Sequence, residues 1–270
     1  MKFQTNIDII SPNFSFKPCE KILFVGSCFA DNIGKRFKEE KFRTIVNPFG
    51  VMYNPVSILH TVQKLSNQVF DIAVFTLGTN HVYVEKATEE IVDNCQKRPQ
   101  KLFNEQELTI DESANALREA IHLLRKQNPN VKVIVTVSPI RYAKYGFHGS
   151  QLSKATLLLA ADKIAREEGE AVYYFPAYEI VNDELRDYRF YKADMLHPNE
   201  QAVEYIWERL VATCFSSEAK KFLEAWRPIK EALGHRPFNP DSEAYRLFMQ
   251  KTKEKIQWLK QLYPDLELDE

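Results

Sequence analysis

The sequence predicts an α/β fold built on a mostly parallel sheet, and two observations predict it. Three short apolar runs, KILFV (21–25), DIAVFTLG (71–78) and VKVIVTVSP (131–139), are rich in β-branched residues and lead into Gly, Ser or Pro. Strands buried on both faces have that composition. Segments of helical periodicity fill the intervals between them. Strand–helix alternation is the pattern of parallel strands joined by right-handed helical crossovers.

Taken in order, KILFV leads into an amphipathic segment, CFADNIGKRFKEE (28–40), and RTIV (43–46) reads as a second strand. NPVSILHTVQKL (54–65) has Asn54 as N-cap and Pro55 at the first helical position, so it is a helix preceding the 71–78 strand. DESANALREAIHLLRKQN (111–128) places Leu117, Ile121 and Leu124 on one helical face ahead of the 131–139 strand. SKATLLLAADKIAREEG (153–169) stops at Gly169, and AVYYF (171–175) supplies a fifth strand. Residues 79–110 break this rhythm, and HVYVEKATEEIVDN (81–94) reads as a small hairpin laid over the domain edge. Beyond about residue 215 the chain turns helical and charged. The expectation is therefore a domain over 1–215 and a helical extension over 216–270, packed on the domain or on a partner.

Composition narrows the function. The 270 residues are 44% hydrophobic and 27% charged, which is enough for a buried core. A formal net charge of -1 argues against nucleic acid as the main partner, because that binding rests on clustered Lys and Arg. No apolar run approaches the roughly 20 residues of a membrane span. MKFQTNIDII holds no stretch apolar enough for a signal peptide, and the four scattered cysteines form no C-x-x-C pair. A cytoplasmic protein without a membrane partner is expected. Without H-E-x-x-H or paired cysteine ligands, neither a metal nor a cofactor is expected.

The chemistry-bearing stretch is KILFVGSCFADNIG (21–34), where Gly26, Ser27 and Cys28 stand between strand and helix. Ligands of open α/β sheets bind beyond the carboxyl ends of strands, and helix N-termini favour negative charge. Ser27 there is a candidate nucleophile, and the N–H of Ser27 or Cys28 a candidate oxyanion donor. It equally suits a capping serine. A phosphate cradle would need a Walker or G-x-G-x-x-G pattern, and neither occurs. A serine nucleophile needs a base. His197 follows Asp194 by three residues in YKADMLHPNEQAVEYIWERL, just before a helix, so the carboxylate can orient the imidazole or simply cap the helix. Asn80 in LGTNHVY ends the second clear strand and has a side-chain NH2 to offer. Gly50 in NPFGVMYNP lets a backbone N–H approach a substrate. Arg141, Tyr142 and His148, in the loop region after the 131–139 strand, are candidates for the pocket wall. His60 and His122 fall inside helical patterns and read as structural. Cys28 reads as a buried small hydrophobe rather than a rival nucleophile.

The order Ser, Gly, Gly-x-Asn, Asp-x-x-His resembles the SGNH (GDSL-like) hydrolase superfamily, and GSCFA at 26–30 matches the signature of the GSCFA-domain family within it. The resemblance runs from about residue 20 to 235. It implies a flavodoxin-like three-layer α/β/α sandwich with a five-stranded sheet. It also implies Ser27 as nucleophile, His197 as general base and Asp194 as its orienter, with an oxyanion hole from the Ser27 and Gly50 N–H groups and the Asn80 side chain. Two features depart from the common pattern. The superfamily block reads Gly-Asp-Ser where this chain has Gly26-Ser27-Cys28, and His81 stands where many members carry Asp. The chain order also differs from an α/β-hydrolase, which uses G-x-S-x-G. The expected function is a serine hydrolase that removes a short acyl group from a small molecule or glycan precursor. An acyltransferase with the same residues, or a non-catalytic module that acts through its helical tail, are the rivals.

Overall fold

The computed structural model describes residues 4–93, 95 and 98–266. The chain runs β1 (Lys21–Gly26), α1 (Cys28–Glu39), β2 (Arg43–Val46), α2 (Pro55–Lys64), β3 (Ile72–Leu77), β4 (His81–Glu85), β5 (Ile91–Val92), β6 (Phe103–Glu107), α3 (Ile110–Gln127), β7 (Lys132–Val137), α4 (Gly146–Glu168) and β8 (Val172–Tyr174). A short turn, α5 (Ala177–Glu179), continues into a π-helical stretch over Ile180–Leu185, and α6 (Glu200–Cys214), α7 (Ser217–Gly234) and α8 (Glu243–Leu262) complete it. The main sheet has five strands, all parallel, in the order β2-β1-β3-β7-β8.

Alternation along the central strands divides the core. Ile22 and Phe24 of β1 enter a cluster with Phe29, Phe37 and Trp207 of α1 and α6, whereas Leu23 and Val25 join Ile58, Leu117 and Leu157 of α2, α3 and α4. Successive side chains of a strand point to opposite faces, so helices cover both. This is the expected three-layer sandwich. The helices start where the sequence supplies caps: Ser27, Asn54, Asn199 and Ser216 each accept from a backbone N–H of the first turn, and Thr109 with Glu112 forms a capping box.

Two elements differ from expectation. The excursion between β3 and α3 is a three-stranded antiparallel sheet, β5-β4-β6, rather than a hairpin. Its third strand, FNEQE, has four exposed residues of five, so no alternation marks it. The last residue of the expected hairpin, Asn94, lies outside the described residues. Helix α4 begins at Gly146, seven residues before the expected start. Gly146 has a φ of 67°, a left-handed value that glycine adopts without strain, and the helix extends from it. His148 therefore sits on the exposed first turn of a helix and not in a loop. In the C-terminal extension, α7 buries Phe222, Trp226 and Ile229 in the same cluster as β1 and α1. Trp226 donates its indole N–H to the Glu39 carbonyl at 3.1 Å, and Lys230 pairs with Glu40 at 2.7 Å.

At Gly26 the main sheet leaves no room for a side chain. The φ of Gly26 is 147°, and a Cβ there would lie 2.2 Å from the Thr76 carbonyl oxygen on the neighbouring strand. Gly26→Ala is expected to cost about 3 kcal/mol or more, because backbone cannot yield as a flexible side chain does. A lowered urea midpoint at unchanged slope would show it; a midpoint equal to that of wild type would contradict it.

Candidate active site

Ser27 caps α1 at the carboxyl end of β1. Its N–H donates to the Thr76 carbonyl at 3.0 Å, and its hydroxyl accepts from the Phe29 N–H at 3.3 Å. The same hydroxyl shares a 3.2 Å hydrogen bond with the Thr76 hydroxyl. Ser27 is wholly buried, whereas Cys28, expected to be buried, is half-buried with its Sγ 3.8 Å from the Tyr53 hydroxyl. Asn47, which the sequence reading passed over, fixes the approach to it. Its side-chain oxygen accepts from the Gly26 N–H at 2.9 Å and its NH2 donates to Asp31 at 2.6 Å, so Asp31 in the first turn of α1 braces the same junction.

His197 and Asp194 form the expected pair. Asp194 Oδ2 lies 2.7 Å from His197 Nδ1, and Oδ1 accepts from the Leu196 and His197 backbone N–H groups at 2.8 and 3.0 Å. Those backbone hydrogen bonds, with the imidazole contact, hold the Asp194 carboxyl down to about 2, so it is ionised at any working pH. The turn passes through Met195 at a φ of 58°, a left-handed value that costs energy without glycine. Arg141 ties it down. Its N–H donates to the Leu196 carbonyl at 3.0 Å and its guanidinium to the Met195 carbonyl at 2.9 Å. Arg141 follows β7, so the His197 loop is anchored to the carboxyl edge that also carries Ser27. On its other side, Lys192, Pro198 and Asn199 border one crevice with Asn32 and Lys35 of α1. Among the described residues no hydrogen bond joins Ser27 to His197, and His197 Nε2 makes none. A working triad requires the Ser27 hydroxyl to leave Thr76 and turn toward that nitrogen.

Of the donors read from the sequence for the oxyanion, the Ser27 and Gly50 N–H groups are engaged within the protein, Asn80 uses one hydrogen of its NH2 there, and the Cys28 N–H has no acceptor among the described residues. Ser27 N–H is held by Thr76. Gly50, exposed at a φ of 95°, donates its N–H to the Asn47 carbonyl at 2.9 Å. Asn80 is buried and donates its NH2 to the Leu108 carbonyl at 2.8 Å, leaving its oxygen without a partner. Of the three pocket-wall candidates, Arg141 stacks over Phe147, with its guanidinium carbon 4.1 Å from the ring centroid, His148 stays exposed on α4, and Tyr142 lines a cleft.

A cleft of about 400 Å³ opens beside this edge, walled by Tyr53, Thr79, His81, Tyr83, Tyr142 and Tyr145. Tyr53 accepts at its carbonyl from the Gly78 and Thr79 N–H groups at 2.9 and 2.8 Å, docking the loop after β2 onto the end of β3. Burial, with Cys28 alongside, pushes the Tyr53 hydroxyl up to about 12. His81 stacks on Tyr145 with ring centroids 3.6 Å apart, and burial lowers its pKa. The ring stacking gives position 81 a packing role. Among the described residues no cluster of three His, Cys, Asp or Glu side chains is placed to hold a metal ion.

Beneath the edge runs a buried polar rib on α4. Ser150 accepts from the Tyr142 N–H at 3.2 Å, Ser153 accepts from the Asn80 N–H and shares a hydrogen bond with Thr79, both at 3.0 Å. Lys154 donates to the Gly78 and Ser138 carbonyls at 2.6 and 2.7 Å. Positions 150, 153 and 154 lie on one helix face. Their polarity beside Leu157, Ala160 and Ala161 was the sequence signal available, a stripe of hydroxyl and amine on a face that is otherwise apolar.

The model of the GSCFA family matches residues 21–71 and 68–210, and that of the GSCFA domain protein C-terminal domain matches 226–270. No curated protein matches the chain. Solved structures similar to it include a catalytic mutant of an acetylxylan esterase from Geobacillus stearothermophilus, at 15% identity and a TM-score of 0.48 over 75% of this chain and 98% of that one. A carbohydrate esterase of family 3 from Talaromyces cellulolyticus matches at 14% identity and 0.44, over 76% and 98%. A putative GDSL-like lipase from Bacteroides ovatus matches at 12% identity and 0.48, over 77% of this chain and 54% of that one.

Burial brings the Lys154 ammonium down to about 7, against roughly 10.4 in an unfolded chain. Between those values the unfolded chain binds more protons, so this group makes stability rise with pH. From pH 7 to 9, the unfolding free energy of wild type should therefore gain on that of Lys154→Met, by at most about 1.4 kcal/mol per pH unit. Parallel pH profiles from urea titrations would refute this.

Proposed function

We propose, from the premise that this chain belongs to the GSCFA family, that it is a serine hydrolase of carboxylic esters with Ser27 as nucleophile. The observation that carries the reading is the Asp194–His197 pair at 2.7 Å, anchored through Arg141 to the sheet edge where Ser27 caps α1. An ionised carboxylate on Nδ1 keeps the proton there and leaves Nε2 with its lone pair, the state a general base needs. Once the Ser27 hydroxyl turns from Thr76, His197 takes its proton as Oγ bonds to the ester carbon. His197 then returns the proton to the leaving alcohol, and water repeats the sequence on the acyl-enzyme.

The aromatic walls of the neighbouring cleft suit a flat or ring-bearing group more than a long flexible chain, since rigid rings bury area with little loss of conformational freedom. That supports a short acyl group on a small molecule or glycan precursor as the substrate. The similar structures whose descriptions name carbohydrate and acetylxylan esterases fit that class.

A fluorophosphonate probe is expected to label the wild-type protein on the peptide containing Ser27. Ser27→Ala and His197→Ala should each lower kcat about a million-fold, and Asp194→Asn about ten-thousand-fold by permitting the wrong tautomer. Ester hydrolysis undiminished in Ser27→Ala would end the reading.

A further inference from the structure

Three observations converge on Tyr142, the second residue of the loop segment that holds the His197 turn. First, its hydroxyl is buried and has no hydrogen-bond partner, although it stands at a polar edge. An orphaned buried hydroxyl is costly, so in most proteins one has an acceptor. Second, it stands beside the nucleophile. A Cβ added at Gly78 would fall 2.4 Å from Tyr142 Oη and 3.3 Å from Ser27 Cβ, so the phenol and the serine meet across a residue that has no side chain. Third, the expected oxyanion donors are largely drawn off: Ser27 N–H to Thr76, Gly50 N–H to Asn47 and one hydrogen of the Asn80 NH2 to Leu108. Two donors at this edge have no acceptor among the described residues, the Tyr142 O–H and the N–H of Cys28 at the start of α1.

We infer that Tyr142 is a further catalytic residue, whose phenolic O–H donates to the carbonyl oxygen of the ester as that oxygen becomes negative; this rests on Ser27 being the nucleophile. In the step, Ser27 Oγ bonds to the carbonyl carbon and its proton passes to His197. The carbonyl π pair moves onto oxygen, where the Tyr142 O–H and the Cys28 N–H receive it. The pair returns as the alkoxide leaves and takes the proton from His197. Tyr142 keeps its proton throughout.

The surroundings fit a fixed neutral donor. The Tyr142 N–H is held by Ser150, the Lys154 ammonium lies 5.1 Å from its ring centroid, and Tyr53 meets the ring edge-on with centroids 6.0 Å apart. Burial raises the phenol well above its ordinary value, so it stays protonated wherever His197 works as a base. Tyr142 also forms part of the wall of the aromatic cleft, so a group held in that cleft lies against the ring that carries the donor. A donor directed at the developing oxyanion acts on the transition state more than on the bound substrate.

The test compares wild type, Tyr142→Phe, Tyr142→Ala and Ser27→Ala in hydrolysis of 4-nitrophenyl acetate and in the rate of fluorophosphonate labelling, with melting temperatures as the check on folding. Expected for Tyr142→Phe is a kcat lower by about a hundred- to thousand-fold, KM within about twofold, slower labelling and an undiminished melting temperature. Tyr142→Phe with kcat within about threefold of wild type overturns the proposal. So does faster labelling of Tyr142→Ala at unchanged Tyr142→Phe turnover, which would make the ring only a cover over Ser27. In either case Ser27-dependent labelling of wild type leaves the hydrolase reading standing. A wild-type protein that neither labels nor hydrolyses the ester removes both.

Discussion

At Gly26 the backbone of β1 passes so close to Thr76 of β3 that no side chain fits between them. The rest of the candidate site is arranged around that close approach. It sets the Ser27 N–H on the Thr76 carbonyl and the Ser27 hydroxyl on the Thr76 hydroxyl, and it starts α1 at the next residue. The Asn47 side chain closes the other flank, linking the Gly26 N–H to Asp31. The Ser27 backbone, held by a neighbouring strand and by a helix start, has little freedom, and rotation about the Cα–Cβ bond is what remains to the hydroxyl. The position of the serine is therefore a property of the sheet rather than of a loop, and function sites on rigid elements are the ones placed most accurately.

The opposite wall is built from different material. The loops after β3 and β7 would diverge without a partner, because each strand ends in backbone carbonyls with no further ladder. The rib of Ser150, Ser153 and Lys154 on α4 supplies that partner. Burying a lysine is expensive, and here the expense is offset by two carbonyls that would otherwise be unsatisfied. The rib positions Thr79, Asn80 and Tyr142 together, so a change at Lys154 reaches the cleft without touching a substrate. The imidazole side is held more lightly, by an exposed turn that Asp194 and Arg141 pin from within and without.

Several of these features show how one residue type serves two ends. Asn80 stands in the turn between β3 and β4 in a Gly-x-Asn pattern that fits an oxyanion donor, yet its amide satisfies the Leu108 carbonyl at the start of the segment leading into α3. Gly50 has the positive φ that the pattern called for, but uses its N–H to close a turn on Asn47. Backbone and amide donors near a sheet edge are demanded first by the protein's own carbonyls. A donor left over, such as the Tyr142 hydroxyl, is then conspicuous by contrast.

The sequence by itself determined the strands of the main sheet and the helices between them, in their succession along the chain. The apolar runs at β1, β3 and β7 and the caps at Ser27, Asn54 and Asn199 are local signals, since solvation and backbone hydrogen bonding act on neighbours along the chain. It also determined the Asp194–His197 pair, because three residues are close enough to meet within one turn. Tertiary structure alone decided that Thr76 and Asn47 brace Ser27, that α4 starts early and carries a buried lysine under the strand ends, and that Tyr142 meets the serine across Gly78. Those contacts join residues tens of positions apart. Nothing in the spacing of residues along the chain records which carbonyl a distant amine or hydroxyl will find once the sheet has formed.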